Sequence, residues 1–332
     1  MAEKAKILRA GVIGAGNMGR NHIRVYSEMN NVKLAAIADP DLDSLNRSTS
    51  LYSINGYADY REMIDKEDLN FISLVAPTCL HFPIAKEVLR RGIHILVEKP
   101  LASSVEEGRE LIAAAKKIGV ILGVGHVERY NPVINELKKH LATGTLGNVF
   151  QITIRRIGPF PERIKDVGVL LDLSTHDIDI LYYLTQAEIL NARTESARYL
   201  HEKNEDLAVS TLRFANGVIG VLIENWLSPV KVREVAVNGE RGMLVADLLN
   251  QDLYFYENNY STGSWESLNI FRGMSEGNMT RFYIARGEPL RLELAAFVEA
   301  VQKQQDFTAS GEDGLKALTL AVRLSESAQN QI

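Results

Sequence analysis

The sequence predicts two domains: an α/β domain on a doubly wound parallel sheet, then an α+β domain with a large, open, mainly antiparallel sheet. Three observations carry this. Short apolar runs alternate with amphipathic stretches from Lys6 to Val124, the pattern of a parallel sheet covered by helices on both faces. From Val149 the apolar period shortens to strand-like alternation, with hairpin signals between the runs. A length of 332 residues also suggests two cores rather than one. The change of pattern places the boundary between residues 1–124 and 125–332.

Composition narrows the function classes. Hydrophobic content of 46% and charged content of 24% are those of an ordinary soluble globular chain. A formal net charge of -5 argues against a nucleic-acid surface. No apolar stretch reaches membrane-spanning length and no secretory h-region opens the chain, so a cytoplasmic protein is expected. One cysteine, Cys79, excludes an internal disulfide framework and a multi-cysteine zinc site, and no metal is expected.

The first apolar run, Lys6 to Ile13, leads into Gly14-Ala15-Gly16-Asn17-Met18-Gly19 and then a helix start. This is G-x-G-x-x-G between a strand and a helix. Gly14 permits a tight turn, Gly16 lets the backbone approach a pyrophosphate, and Gly19 allows helix to pack closely on strand. The helix N-terminus, with Asn17 and Met18, offers N–H groups to the phosphates. The next strand, Val32 to Ala38, ends in Asp39, twenty residues after Gly19. A carboxylate there binds ribose hydroxyls and repels a 2′-phosphate, so NAD is favoured over NADP.

The alternation continues through helices at 41–52 and 60–64, a buried strand at 71–76 and a helix at 82–91. After the 71–76 strand, Pro77 and Thr78 are placed along the cofactor. His81 reads as a helix-start or packing residue in preference to a catalytic one, within the same cofactor-lining turn. A run of strand type then ends abruptly in Glu98-Lys99-Pro100. Ligands of an open parallel sheet sit just beyond the carboxyl ends of its strands. Glu98 and Lys99 are therefore expected at the cofactor, with Lys99 facing the nicotinamide. The helix that follows is assigned a capping box, Ser103 with Glu106, and a strand at 120–124 closes the domain.

In the second domain a helix at 133–141 precedes strands at 149–156, 207–214, 218–226, 234–237, 243–246 and 253–256. Ala215-Asn216-Gly217 marks a hairpin. The open face of such a sheet is usually covered by a partner, which predicts a homo-oligomer formed sheet to sheet. Helices at 290–304 and 314–329 end the chain. Asp172 and His176 are four apart at a helix start, a spacing at which a carboxylate can orient an imidazole for acid–base work. Asp177 and Asp179 add negative charge, equally readable as a solvated face. From Arg155 to Lys165 four of eleven residues are basic, including Arg156 and Arg163. Such a loop suits a phosphate-bearing substrate, or is an ordinary solvated run.

Taken together, the glycine loop, Glu98-Lys99-Pro100 and Asp172-x-x-x-His176 before an antiparallel sheet resemble the glucose–fructose oxidoreductase/inositol dehydrogenase (Gfo/Idh/MocA) family along essentially the whole chain. Within it, residues 125–132, 156–160, 166–169, 172–180 and 224–229 are similar to the UDP-N-acetylglucosamine 3-dehydrogenases. The resemblance implies a dehydrogenase in which Lys99 and His176 flank the reacting hydroxyl, with Asp172 orienting His176. It adds Arg129, Asn131, Arg156, Arg163, Asp172 and His176 as substrate contacts. His176 is assigned the base and Lys99 the alkoxide partner, and the sequence leaves the reverse open. Two alternatives stand beside it, a free-sugar or inositol dehydrogenase and a non-catalytic NAD-binding sensor.

Overall fold

The computed structural model describes residues 7–161, 167–260 and 274–329. Two compact units result: residues through Val127 with Glu288–Thr319, and Glu128–Gly287 with the residues from Leu320 onward.

In the first unit β1 (Leu8–Ile13), α1 (Asn17–Ser27), β2 (Val32–Ala38), α2 (Leu42–Tyr52), β3 (Asn55–Tyr57), α3 (Tyr60–Lys66), β4 (Phe71–Leu74), α4 (His81–Arg90), β5 (His94–Glu98), α5 (Val105–Ile118) and β6 (Leu122–Gly125) alternate. All strand pairs are parallel, in the order β3-β2-β1-β4-β5-β6. The order reverses between β1 and β4, the switch point at which such sheets open a crevice. The strands are apolar throughout because helices cover both faces: Ile95, Leu96 and Val97 are at most 1% exposed.

The cap of α5 lies one residue later than the sequence reading placed it. Ser104 Oγ accepts from Glu107 N at 3.2 Å, and the Glu107 carboxylate accepts from Ser103 N at 3.0 Å. The Ser-x-x-Glu spacing occurs in two overlapping registers here, and Gly119, at φ 79°, ends the helix in the left-handed region.

The second unit contains α6 (Pro132–Ala142), β7 (Val149–Ile157), α7 (Val169–Asp172), α8 (Ser174–Thr185), β8 (Ile189–Ala197), β9 (Leu207–Phe214), β10 (Ile219–Asn225), β11 (Val232–Gly239), β12 (Gly242–Asp247), β13 (Asp252–Tyr260) and β14 (Met274–Phe282). Its sheet runs β14-β13-β12-β11-β7-β10-β9-β8. The pairs are antiparallel except β7 with β10. The sheet is thus not a simple meander, because the first strand of the unit inserts between β10 and β11. Along β7, Ile152, Ile154 and Arg156 face the covered side. Thr153 lies on the other face, in a rung with Val221, Ala236, Val245 and Tyr254, all part-exposed.

The domain boundary expected at 124/125 needs a correction at the far end of the chain. The closing helix α9 (Pro289–Lys303) belongs to the first unit, as does the start of α10 (Gly311–Gln329). The cause is aromatic packing: Phe297 stacks edge-on against Phe71 of β4 at 5.7 Å and against Phe307 at 5.2 Å.

Candidate functional site

The first unit carries the residues expected at the cofactor. Gly14 has φ 102°, and a Cβ there would lie 2.5 Å from the Val75 carbonyl oxygen. At Gly19 a Cβ would come within 2.0 Å of the Gly14 carbonyl oxygen, while Gly16 faces open space. The loop is thus tight on the protein side and clear on the ligand side. No side chain caps the N-terminus of α1 and no acid occupies its first turn, so its N–H groups suit an anion. Asn17 is exposed and Met18 part-buried at this turn. Asp39 Oδ2 accepts from Ala15 N at 2.6 Å and Oδ1 from Asp41 N at 2.8 Å, which ties the ribose-type carboxylate to the loop itself. These features fit a dinucleotide. Gly19→Ala is expected to weaken NADH binding about tenfold or more, from roughly 1–3 kcal/mol of overpacking. Titration of NADH fluorescence would show it.

Lys99, part-buried, follows β5 at the same sheet edge, and its peptide bond to Pro100 is cis. Pro77 is exposed and Thr78 part-buried in the turn after β4. Glu98 and His81, both expected to line the cofactor, are turned inward. Glu98 Oε1 lies 3.1 Å from Nε2 of the buried His22, and Oε2 accepts from Lys99 N at 3.2 Å. Burial alone would raise the Glu98 carboxyl. The His22 hydrogen bond and charge, with the Lys99 ammonium and N–H, outweigh it and hold the group below the usual glutamate range. Gly125 makes the room, since a Cβ there would meet the Glu98 carboxyl at 3.0 Å.

His81 is 1% exposed, with Nδ1 2.8 Å from the Pro100 carbonyl oxygen and Nε2 2.8 Å from that of Ala76. A neutral ring can donate to one of them; burial lowers the basicity of the ring, and both carbonyls work against that. His81 therefore pins the turn after β4 to the segment after Lys99. Both of its ring nitrogens are thus engaged by main-chain carbonyls.

The second unit carries Asp172 and His176, the pair expected to serve the substrate. Asp172 ends α7 and His176 lies in the first turn of α8, with a joint at Leu173; both are part-buried. Behind them stands a buried polar layer that sequence reasoning did not assemble. Asp177 and Asp179, readable as a solvated face, are at most 1% exposed. Arg129 donates to Asp179 through Nε at 2.8 Å and Nη2 at 2.7 Å, with its guanidinium 5.1 Å from the Tyr183 ring centre. Arg156 donates through Nε to Asp177 at 2.7 Å and through Nη1 to Glu128 at 3.1 Å. Asn131 caps α6 and donates to the Leu248 carbonyl at 3.1 Å.

Arg129, Asn131 and Arg156, expected at the substrate, thus hold the unit together from inside. The basic run is strand rather than loop at its start. Consecutive residues of β7 face opposite ways, so Arg155 pairs with Glu234 on the open face while Arg156 is buried. Arg163 lies outside the described residues. Arg233, which no motif flagged, stands on β11 opposite Arg156. Its Nη1 donates to the carbonyls of Ile157 and Val232, each at 2.8 Å. It is part-exposed and forms no salt bridge among the described residues.

Comparison with known proteins agrees with this anatomy. A model of an oxidoreductase family with an NAD-binding Rossmann fold matches residues 8–126, and the GFO/IDH/MocA C-terminal domain matches residues 134–245. UDP-N-acetylglucosamine 3-dehydrogenase of Acidithiobacillus ferrooxidans is 25% identical over 96% of both chains. A solved structure of that enzyme has TM-score 0.84 at 24% identity, covering 97% of this chain and 98% of that one. Myo-inositol 2-dehydrogenase of Thermotoga maritima is 26% identical over 98% of this chain and 97% of its own. A dehydrogenase of Bordetella pertussis, solved with NADH and UDP-GlcNAcA, has TM-score 0.80 at 21% identity, covering 98% of both chains. Among the described residues no helix is long and apolar enough to cross a membrane. With both of its halves matched, the chain belongs to the GFO/IDH/MocA family of NAD-binding oxidoreductases.

Proposed function

We propose that this protein is an NAD-dependent dehydrogenase that oxidises C3 of a nucleotide sugar such as UDP-N-acetylglucosamine. The observation that carries the reading is Lys99 just past the carboxyl end of β5, beside a Glu98 held ionised and on the same sheet edge as the glycine loop. Support for the sugar comes from the relative that shares 25% identity over nearly the full length, and from Arg233, a part-exposed cation suited to a phosphate oxygen.

NAD, when bound, supplies the hydride acceptor. In this reading Lys99 and His176 serve the reacting hydroxyl. His176 takes its proton, Asp172 orients the imidazole, and the Lys99 ammonium stabilises the developing alkoxide. The open face of the second sheet, with its rung of Val221, Thr153, Ala236 and Val245, is proposed to pack against a second copy of the chain.

A second reading, oxidation of inositol or a free sugar, is favoured by the 26%-identical myo-inositol 2-dehydrogenase. A panel of nucleotide sugars, free sugars and inositols separates the two. The expected result is reduction of nicotinamide with UDP-N-acetylglucosamine and an activity that falls in Arg233→Ala. Turnover of inositol alone, indifferent to that substitution, would establish the second reading. Absorbance of protein-bound nicotinamide should be followed alongside added NAD, because a cofactor that never exchanges would hide turnover.

A further inference from the structure

The covered face of the second sheet carries a row of ionisable side chains of which the proposed reaction uses only Arg233. Glu224 on β10, Arg156 on β7 and Arg233 on β11 are register partners, so they stand side by side on that face. Ser174 and Asp177 approach from the first turn of α8, and Glu128 joins from the start of the unit. Three carboxyl groups, those of Glu128, Asp177 and Glu224, thus gather around Arg156. Among the described residues no group of acidic, histidine or cysteine side chains is arranged to hold a metal ion.

Two oxygens are left over. Asp177 Oδ2 and Glu224 Oε1 are buried, and neither receives a hydrogen bond from a described residue. Ionised carboxylates only accept, so two charged groups here would leave two stranded acceptors and add their mutual repulsion. A single proton between them satisfies both oxygens, and the two carboxyls are within hydrogen-bonding reach. Asp177 already takes the Arg156 Nε–H, whereas Glu224 has the Ser174 hydroxyl on Oε2. Burial pushes both carboxyls up. The Arg156 charge and hydrogen bond work against that at Asp177, while at Glu224 the Asp177 charge adds to it.

We propose that Glu224 is a neutral carboxylic acid at physiological pH, donates its proton to Asp177 Oδ2, and acts as a positioning residue for the turn of α8 that carries His176. Ser174 and Asp177 flank His176 within that turn, and Glu224 bonds both. The proton assignment stands on the cluster alone; the positioning role rests on the catalytic reading of His176.

The test compares the native protein with Glu224→Gln and Glu224→Leu. Infrared spectra at neutral pH should show the carbonyl stretch of a buried protonated acid in the native protein and not in E224Q. E224L removes both bonds and should lower kcat roughly tenfold or more, with a shifted pH profile. In E224Q the amide donates to Asp177 and accepts from Ser174, so it should restore most of the lost rate and the native profile. No acid band at neutral pH, or an E224Q protein that is folded but as impaired as E224L, would overturn the proposal. Should E224L not fold, the native and E224Q spectra still decide the proton. An acid band in a protein that oxidises no sugar would keep the proton on Glu224 and remove the dehydrogenase reading instead.

Discussion

Lys99→Ala should reduce turnover on the order of a hundredfold or more, a barrier increase of about 3 kcal/mol, while NADH binding persists. The glycine loop and Asp39 are untouched by the change, so cofactor affinity is governed elsewhere. What disappears is a positive charge at the sheet edge, delivered by a strand whose Ile95, Leu96 and Val97 are at most 1% exposed and therefore fixed. Lys99→Arg should not restore the rate, since a planar guanidinium cannot stand in for a compact ammonium. His176→Ala should cost a similar factor. Single-turnover absorbance of the nicotinamide separates these losses from product release. A Lys99→Ala protein turning over at the native rate would end the mechanism proposed above, and NAD binding without turnover on any sugar would establish the sensor alternative.

The second large effect falls on stability. Arg156→Ala should destabilise the protein by about 3–5 kcal/mol, because it strands the buried Asp177 carboxylate and the part-buried Glu128 that now share one guanidinium. Arg156→Lys should recover little, since a point charge cannot reproduce the two directed N–H bonds to Asp177 and Glu128. Chemical denaturation of the two variants measures both statements. A loss under about 1 kcal/mol in Arg156→Ala would show that the charge cluster contributes little net stability.

What the sequence disclosed follows from the range of the interactions involved. The glycine loop, Asp39 and the strand ending at Lys99 are set by residues close in the chain, and their spacing reveals them. Three strands were not legible, β3, β8 and β14, and each lies at the edge of its sheet. An edge strand has one neighbour, so its apolar alternation is weak; β8, Ile-Leu-Asn-Ala-Arg-Thr-Glu-Ser-Ala, shows little of it. The buried charge layer was hidden for another reason. Glu224, Arg156 and Arg233 meet through register between strands distant in sequence, and Asp177 gives no local sign of lying inside. Only the parity of β7 could have hinted at it, by setting Arg156 on the same face as Ile152 and Ile154. His22 carried a weak signal, one turn beyond Gly19 on α1, that no motif singled out.

The return of the chain to its first unit has a consequence for synthesis. Phe71 of β4 emerges from the ribosome early, but the Phe297 ring that packs on it belongs to α9. All of Glu128–Gly287 must be translated in between, which takes on the order of ten to thirty seconds at about 5–20 residues per second. During that interval the nascent Rossmann unit has an uncovered aromatic flank, and the second unit can complete its sheet first. The sheet of the second unit is then expected to form before the first unit is covered, and a fragment ending near Val127 should inherit the exposed flank permanently.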